Sequence, residues 1–166
     1  MKQAQPENTM TDFLECVVQN EQETAQLAAK LGPLLRPSDI LSLSGTLGAG
    51  KTAFARALIR ALIGQEIEVP SPTFNLLLLY DTPAGTVYHY DFYRLEDPEE
   101  VWELDIEQAY EDGITVMEWA EKLEDLAPDD VLKVDITIPS DAAEDTRVFR
   151  FSGSKNWIER LETLSL

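Results

Sequence analysis

Short blocks of apolar residues alternate with polar segments along the chain. Blocks of this length, bounded by glycine, proline or charged residues, are typical of strands. The predicted strands are FLECVV, ILSLS, FNLLLLY, VYHYDFYRL, ITVMEW, VLKVDITI and RVFRFS. The segments between and after them predict helices at EQETAQLAAKLGPLL, AFARALIRALIG, DPEEVWELDIEQAYEDG, AEKLEDL and NWIERLETL, with one or two short helices in the third.

Capping residues support two of these helices. Asn20 precedes the first helix, and Glu23 lies three positions after Asn20, as in a capping box. Asp97 is a suitable N-cap for a later helix, because Pro98 takes the first helical position and Glu100 the third. We therefore expect helices to begin directly after both N-cap residues.

The order of the elements predicts the fold class. Strands and helices alternate at first, and two strands are then joined by DTPAGT, whose proline and glycine suit a hairpin turn. This order is typical of a three-layer α/β sandwich with a mixed, mainly parallel sheet and a hairpin. At 166 residues, we expect one domain over 13–166 and a flexible N-terminus over 1–12.

A glycine-rich segment, SGTLGAGKT, follows the predicted strand ILSLS. In it, Gly45, Gly50, Lys51 and Thr52 satisfy the phosphate-loop spacing G-x-x-x-x-G-K-[ST]. Glycines permit left-handed turns and remove side chains that would hold the backbone away from a polyphosphate. A lysine supplies positive charge to the β- and γ-phosphates, and a threonine hydroxyl binds the bridging Mg²⁺. The expected ligand is a magnesium nucleotide.

The other loop residues contribute through the main chain. We expect Leu47, Gly48 and Ala49 to line a concave nest of backbone amides that binds phosphate oxygens. The alternative is a glycine-rich turn without a ligand. The buried strand before the loop and the helix after it, for which Gly64 is a suitable C-cap, favour a phosphate loop and a P-loop NTPase-like fold.

Two carboxylates are candidates for the rest of the site. The two-residue period of a strand places His89 and Asp91 on the same face as Val87. Glu118 ends the apolar run ITVM, a common position for acidic residues that hold Mg²⁺ in phosphate-loop proteins. The alternative for each carboxylate is a structural hydrogen bond at a strand end. For His89, a core or supporting role is favoured over proton transfer.

A proline-rich loop, VPSPTF, lies between the phosphate-loop helix and the next strand. Ser71 and Thr73 flank the rigid Pro72 in this loop. Loops that sense the state of a nucleotide often occur at this place in the chain, so the two hydroxyls are candidates for a switch-like loop. A purely structural turn is an equal alternative.

Composition and charge exclude several classes of protein. No apolar run approaches the length of a membrane span, and the first residues lack the apolar core of a signal peptide, so we expect a cytoplasmic protein. Cys16 is the only cysteine, so the chain cannot form an internal disulfide. The net charge of −18 disfavours direct binding to RNA.

The acidic residues are unevenly distributed. Between positions 96 and 130 there are fifteen acidic residues and one basic residue, interrupted by apolar positions that indicate a folded segment. An ordinary solvated surface is one interpretation, and docking to a basic protein partner is the other.

Four motifs in this order, GTLGAGKT, SPTF, HYDFYRL and MEW, resemble the small bacterial TsaE family, formerly called YjeE. The resemblance spans roughly Glu21 to Trp119. It implies an ATPase of tRNA threonylcarbamoyladenosine biosynthesis that works with the TsaB–TsaD heterodimer and uses ATP and Mg²⁺. The resemblance further implies that the TsaD subunit transfers the threonylcarbamoyl group to adenosine 37 of tRNA, so that tRNA would be a partner only indirectly, through the complex.

The resemblance also implies roles for individual residues. Lys51 and the loop would bind phosphates, Thr52 and Glu118 would be Mg²⁺ ligands, and Asp91 would be the acidic residue required for hydrolysis. The catalytic set is then Lys51, Asp91 and Glu118.

Two further positions of the family pattern concern the edges of the site. Glu21 and Thr24 align with an N-terminal segment that lies near the nucleotide. Thr46 departs from the family, which usually has aspartate there; this position is free in the loop spacing, so the phosphate cradle is expected to be intact.

Two alternative functions remain open at this point. A small-molecule or nucleotide kinase would use the same loop, but after the SPTF segment few basic residues besides Arg94 could bind an acceptor phosphate. A nucleotide-dependent assembly module with negligible hydrolysis is the other alternative. The chain lacks an Asn-Lys-x-Asp element, which mildly disfavours a GTPase.

Overall fold

The computed structural model of the protein describes residues 11–164 and contains seven strands and four α-helices in that range. The strands are β1 (Thr11–Val18), β2 (Ile40–Ser44), β3 (Leu77–Thr82), β4 (Gly85–Asp91), β5 (Ile114–Glu118), β6 (Leu132–Thr137) and β7 (Arg147–Gly153). The α-helices are α1 (Glu21–Leu31), α2 (Lys51–Ile63), α3 (Ile106–Asp112) and α4 (Lys155–Arg160). Short 3₁₀ helices cover Gly32–Leu34, Pro98–Glu103 and Ala120–Leu126.

All seven strands belong to one mixed sheet in the order β1-β7-β6-β2-β5-β4-β3. The four neighbours β6, β2, β5 and β4 are parallel, whereas β7 and β3 run against the strands beside them. The predicted hairpin is therefore present as β3 and β4. Because parallel strands end at the same edge of a sheet, the residues that follow β2, β4 and β5 come together at one edge.

Both faces of the central sheet are covered, as expected for a three-layer sandwich. On one face, Val87 packs in a core with Leu41 and with side chains of α1 and α2. On the other face, Tyr88 and Tyr90 pack in a second core with side chains of α3 and of the 3₁₀ helices. The predicted alternation of faces along β4 is confirmed. Strands covered on both sides read as continuous apolar blocks, as ILSL and ITVM do.

The first helix begins as predicted and ends earlier than predicted. The Asn20 side chain accepts a hydrogen bond from the Glu23 amide at 2.9 Å, and the Glu23 carboxylate accepts one from the Gln19 amide at 2.6 Å. The α-helix stops at Leu31 and not at position 35. Pro33 is the reason, because a proline has no N–H to donate to the preceding turn, and the chain continues as a short 3₁₀ helix.

The strand predicted at 74–80 begins three residues late. The amides of Asn75 and Leu76 both donate to the Pro72 carbonyl, at 3.1 and 2.7 Å, so the chain is still turning where the apolar block starts. Leu76 has a φ of 64°, which is incompatible with a strand. Phe74 is left 79% exposed at this turn.

Other predicted boundaries also change. β4 ends at Asp91 and not at position 95, because the Leu95 amide turns back to the Phe92 carbonyl at 3.0 Å. The last helix ends at Arg160 and not at position 164. The expected flexible segment 1–12 lies outside the described residues except for Thr11 and Asp12, which begin β1.

The acidic segment 96–130 forms much of the layer over the second core. The N-cap predicted at Asp97 is present and is part of a capping box, since the Asp97 side chain accepts from the Glu99 amide and the Glu100 side chain accepts from the Asp97 amide, each at 3.0 Å. None of the helices in residues 11–164 has the length and apolar character needed to cross a bilayer.

Candidate functional site

The candidate site is an open cleft at the edge where the parallel strands end. β2 leads directly into the loop 45–50, while Asp91 ends β4 and Glu118 ends β5. Asp91 and Glu118 are paired in the register of these two adjacent strands, which places the two predicted carboxylates side by side. The cleft has a volume of about 430 Å³ and is lined by Glu21, Leu47, Gly48, Gly50, Lys51, Thr52, Ala53, Thr73, Asp91, Tyr93, Glu118, Trp119 and Arg147.

The loop takes the shape that its glycines were expected to permit. Gly45, Gly48 and Gly50 have φ values of 145°, 83° and 113°, in the region that other residues rarely adopt. A β-carbon on Gly45 would collide with the Ile136 carbonyl oxygen. Gly45, which directly follows β2, is thus needed both for its backbone angle and for the close approach of β6.

Substitution of these glycines separates the two requirements. We expect Gly48→Ala to lower the free energy of unfolding by about 1–2 kcal/mol, because its added methyl meets nothing within 4 Å among the described residues and only the left-handed angle is costly. Gly45→Ala adds a collision with backbone, which costs about 1–3 kcal/mol more. Urea unfolding of the nucleotide-free protein measures both values. Equal losses for the two variants would contradict the proposed packing against β6.

Lys51 begins α2 and is folded back over the loop. Its side-chain amine donates to the Gly45 carbonyl at 2.5 Å and to the Thr46 carbonyl at 3.2 Å, and it lies 4.0 Å from the centre of the Trp119 ring. Burial lowers the pKa of Lys51, an effect that the nearby Glu118 carboxylate partly offsets. The buried cation is held by dipoles and a ring face, from which it can turn towards an anion in the loop.

Glu118 stands apart from the other acidic residues of its segment. The remaining fourteen between 96 and 130 are exposed, whereas Glu118 is 1% exposed. Its Oε1 accepts a hydrogen bond from the Thr52 hydroxyl at 2.7 Å, and its Oε2 lies 2.7 Å from His89 Nε2. A carboxylate buried in contact with polar side chains at a cleft is a candidate functional group.

The pair formed by Thr52 and Glu118 fits Mg²⁺ chemically. A hydroxyl and a carboxylate oxygen in direct contact are the hard oxygen ligands that Mg²⁺ prefers. Across residues 11–164, no cluster of three or more acidic, histidine or cysteine side chains could hold a metal ion. The described protein groups thus suit a cation that retains waters and shares its coordination with phosphate, as Mg²⁺ does.

Asp91 is connected to the predicted switch-like loop. Its Oδ2 accepts a hydrogen bond from the Thr73 hydroxyl at 2.9 Å, and its Oδ1 accepts one from the Tyr93 amide at 2.9 Å. The hydroxyls of Ser71 and Thr73 lie 2.6 Å apart. The loop around Pro72 therefore reaches the cleft through Thr73, while Ser71 supports Thr73 from the exposed side.

The two predicted residues of α1, Glu21 and Thr24, lie beside the phosphate loop. Glu21 lines the cleft itself. Thr24 is 8% exposed and lines a narrow adjoining pocket together with Ala49 and Gly50. All the predicted site residues except Ser71 thus lie in or beside the cleft or in the loop that forms its wall.

Four cleft residues were not singled out from the sequence: Ala53, which follows Thr52 in α2, and Tyr93, Trp119 and Arg147. Arg147 donates from Nε to the Ala49 carbonyl at 2.9 Å, although the two are 98 positions apart. Tyr93 and Trp119 form an aromatic pair with ring centres 5.1 Å apart. Both aromatic residues lie inside the quoted motifs HYDFYRL and MEW, which was the available signal; Arg147 has no local spacing that would indicate it.

Thr46 marks the departure from the family pattern. Its side chain is exposed, and its contact with Lys51 is made by the main-chain carbonyl. A different side chain at this position therefore leaves the contact between the loop and Lys51 in place.

Comparison with known proteins identifies relatives over most of the chain. The family model described as "Threonylcarbamoyl adenosine biosynthesis protein TsaE" matches residues 18–148. A tRNA threonylcarbamoyladenosine biosynthesis protein TsaE from Rickettsia felis is 43% identical over 122 residues, which cover 74% of this chain and 71% of the relative. The protein of the same name from Bacillus subtilis is 35% identical over 142 residues, covering 86% and 87%.

A solved structure has the same fold. The crystal structure of Bacillus subtilis YdiB superimposes with a TM-score of 0.72 at 28% sequence identity and covers 95% of each chain. The likeness extends over nearly the whole chain and is not confined to the phosphate loop.

Proposed function

Because this chain belongs to the TsaE family, which acts in tRNA threonylcarbamoyladenosine biosynthesis, we propose that it binds and hydrolyses MgATP in support of the TsaB–TsaD heterodimer. The observation that carries the proposal is the convergence of Lys51, Thr52, Asp91 and Glu118 on one cleft beside a glycine loop. These four side chains come from three elements that meet only in the folded protein.

The phosphate loop and Lys51 bind the nucleotide's phosphates in this proposal. The left-handed glycines keep side chains out of the cradle, so that main-chain amides can approach the phosphate oxygens. Lys51 turns from the carbonyls of Gly45 and Thr46 towards the phosphates, exchanging neutral acceptors for charged ones.

Thr52 and Glu118 are the residues that hold the metal. In the structure the Thr52 hydroxyl donates a hydrogen bond to Glu118. When this hydrogen bond breaks, the hydroxyl oxygen can bind a cation. A Mg²⁺ ion held by these two side chains would supply positive charge that stabilises the negative charge developing on the phosphate oxygens.

Asp91 orients the attacking water. Its two oxygens are held by the Thr73 hydroxyl and the Tyr93 amide, which fixes the carboxylate at the cleft while leaving lone pairs for water. A carboxylate placed in this way accepts a proton as the water attacks the γ-phosphate. The link from Asp91 to Thr73 also couples the chemistry to the loop 71–73, and next to that loop lies the exposed Phe74.

Family membership and charge support the proposed partners. We propose that this chain contacts tRNA only through the protein complex, because a chain with a net charge of −18 repels a polyanion. We propose the cytoplasm as the place where this complex acts. The TsaB–TsaD heterodimer is then expected to complete the site, since switch-type ATPases of this class hydrolyse slowly without a partner.

Turnover by the purified protein with its partner subunits tests the proposal. We expect ADP release that needs the protein, the partners and Mg²⁺ together, and a loss of threonylcarbamoyladenosine from tRNA when the protein is depleted from cells. The partners without the protein serve as the control. An absence of MgATP turnover in the full mixture would overturn the hydrolase proposal.

A further inference from the structure

His89 contacts the cleft residue Glu118 and has no part in the mechanism described so far. It is the only histidine of the chain, it is completely buried on β4, and it precedes Asp91 by two residues on the same face of the sheet. Its Nε2 is 2.7 Å from Glu118 Oε2, and the side chains of the pair are 0% and 2% exposed. A contact this short in a dry environment is a strong constraint on both groups.

The other ring nitrogen shows which way the hydrogen bond runs. His89 Nδ1 is buried and has no hydrogen-bond partner among the described residues. If a neutral ring carried its proton on Nδ1, that N–H would be buried without an acceptor, and Nε2 would face the carboxylate with a lone pair. With the proton on Nε2, that N–H donates to the Glu118 carboxylate and only the lone pair of Nδ1 is left without a partner among the described residues, so we take His89 as the donor.

This hydrogen bond determines how Glu118 is presented. His89 holds Oε2, which leaves Oε1 on the side of Thr52. The Thr52 hydroxyl can rotate and give up its bond, whereas the His89 ring, completely buried on β4 between β5 and β3, cannot follow a rotating carboxylate. Rotation of Glu118 would therefore break its bond to His89 and leave a buried donor and a buried acceptor unpaired.

We propose that His89 is a positioning residue that holds the Glu118 carboxylate with Oε1 directed at the metal side of the cleft. The inference rests on the proposed binding of a magnesium nucleotide. It states that His89 contributes to the increase in nucleotide affinity that Mg²⁺ produces, because it orients the Glu118 carboxylate. Partners of this kind, which orient a ligand without touching the metal, typically change metal affinity about 10- to 100-fold when they are removed.

Nucleotide affinity with and without Mg²⁺ distinguishes positioning from a general role in the core. Calorimetry with ADP is carried out in EDTA and in excess Mg²⁺ for the full chain and for two variants, His89→Leu and His89→Gln. Leucine removes the donor, whereas the glutamine amide can occupy the position of Nε2 and keep it. Should His89→Leu fail to fold, His89→Asn replaces it, because its shorter amide ends before the position of Nε2.

We expect the variant without the donor to lose about 10- to 100-fold of the Mg²⁺-dependent gain in ADP affinity, with its affinity in EDTA unchanged. His89→Gln should retain most of the gain. If Mg²⁺ raised the ADP affinity of the donor-free variant as much as that of the wild type, the inference would be overturned and the proposed function would stand. The same conclusion would follow if the variant lost equal affinity for ADP with and without Mg²⁺. Wild-type protein that binds no nucleotide in either buffer would overturn the proposed function together with the inference.

Discussion

Replacing Lys51 with alanine abolishes ATP turnover and weakens ATP binding by about 100-fold or more. The expected loss is large because Lys51 is the loop cation that can reach the phosphates from the start of α2, and a charged contact of this kind contributes about 2–4 kcal/mol. Calorimetry with MgATP measures the binding, and ADP release in the presence of TsaB–TsaD measures the turnover.

Lys155→Ala is the matched control for this variant. The Lys155 side chain is 84% exposed and lies 3.8 Å from Glu159 on the surface of α4, so its removal takes away one positive charge without touching the cleft. We expect wild-type binding and turnover from this control. Full turnover by Lys51→Ala in the same assay would mean that the phosphate loop does not bind the reacting nucleotide.

Replacing Asp91 with asparagine lowers turnover by about 10²- to 10⁴-fold while ATP binding stays close to that of the wild type. The asparagine oxygen can still accept from the Tyr93 amide, and its NH₂ group can donate to the Thr73 hydroxyl, so the local geometry is preserved. What is lost is the negative charge that accepts a proton from water. An ATP-loaded complex with the partner subunits should therefore accumulate.

Asp81→Asn on the neighbouring strand β3 is the control. Asp81 is exposed and accepts a hydrogen bond from Thr86, away from the cleft, so the variant should turn over ATP like the wild type. Single-turnover hydrolysis and co-purification with ATP distinguish the outcomes. An Asp91→Asn protein that hydrolyses ATP normally, and forms the complex normally, would favour a nucleotide-dependent assembly module over a hydrolase.

Local spacing was sufficient to predict the parts of the site that lie within one element. The phosphate loop and the start of α2 occupy consecutive residues, so the positions of Gly45, Lys51 and Thr52 followed from the motif. The two-residue period of β4 likewise placed His89 and Asp91 on one face. The strand predicted from Phe74 onwards began three residues late, because the hydrogen bonds around Pro72 maintain a turn within an apolar block that has strand propensity.

The connections between elements could not be obtained in the same way. Glu118 bonds to Thr52 across 66 positions and to His89 across 29, and the Arg147 contact with the loop spans 98. Each depends on which strands are neighbours and on their register, since a shift of one residue would turn Glu118 to the other face of the sheet. Residue spacing therefore left Asp91 and Glu118 without a ranking, and only the family resemblance implied separate roles. The fold ties Asp91 to Thr73 and Glu118 to Thr52 and His89.

The sequence by itself determined the phosphate loop, the alternation of strands and helices, and the residue types available for chemistry, because these depend on backbone preferences and spacing over a few residues. Only the tertiary structure decided which carboxylate lies against the hydroxyl of Thr52, which lies against the switch-like loop, and that a buried imidazole holds one of them. The physical reason is that burial and hydrogen-bond pairing are properties of the assembled sheet, and they arise when β2, β4 and β5 end side by side.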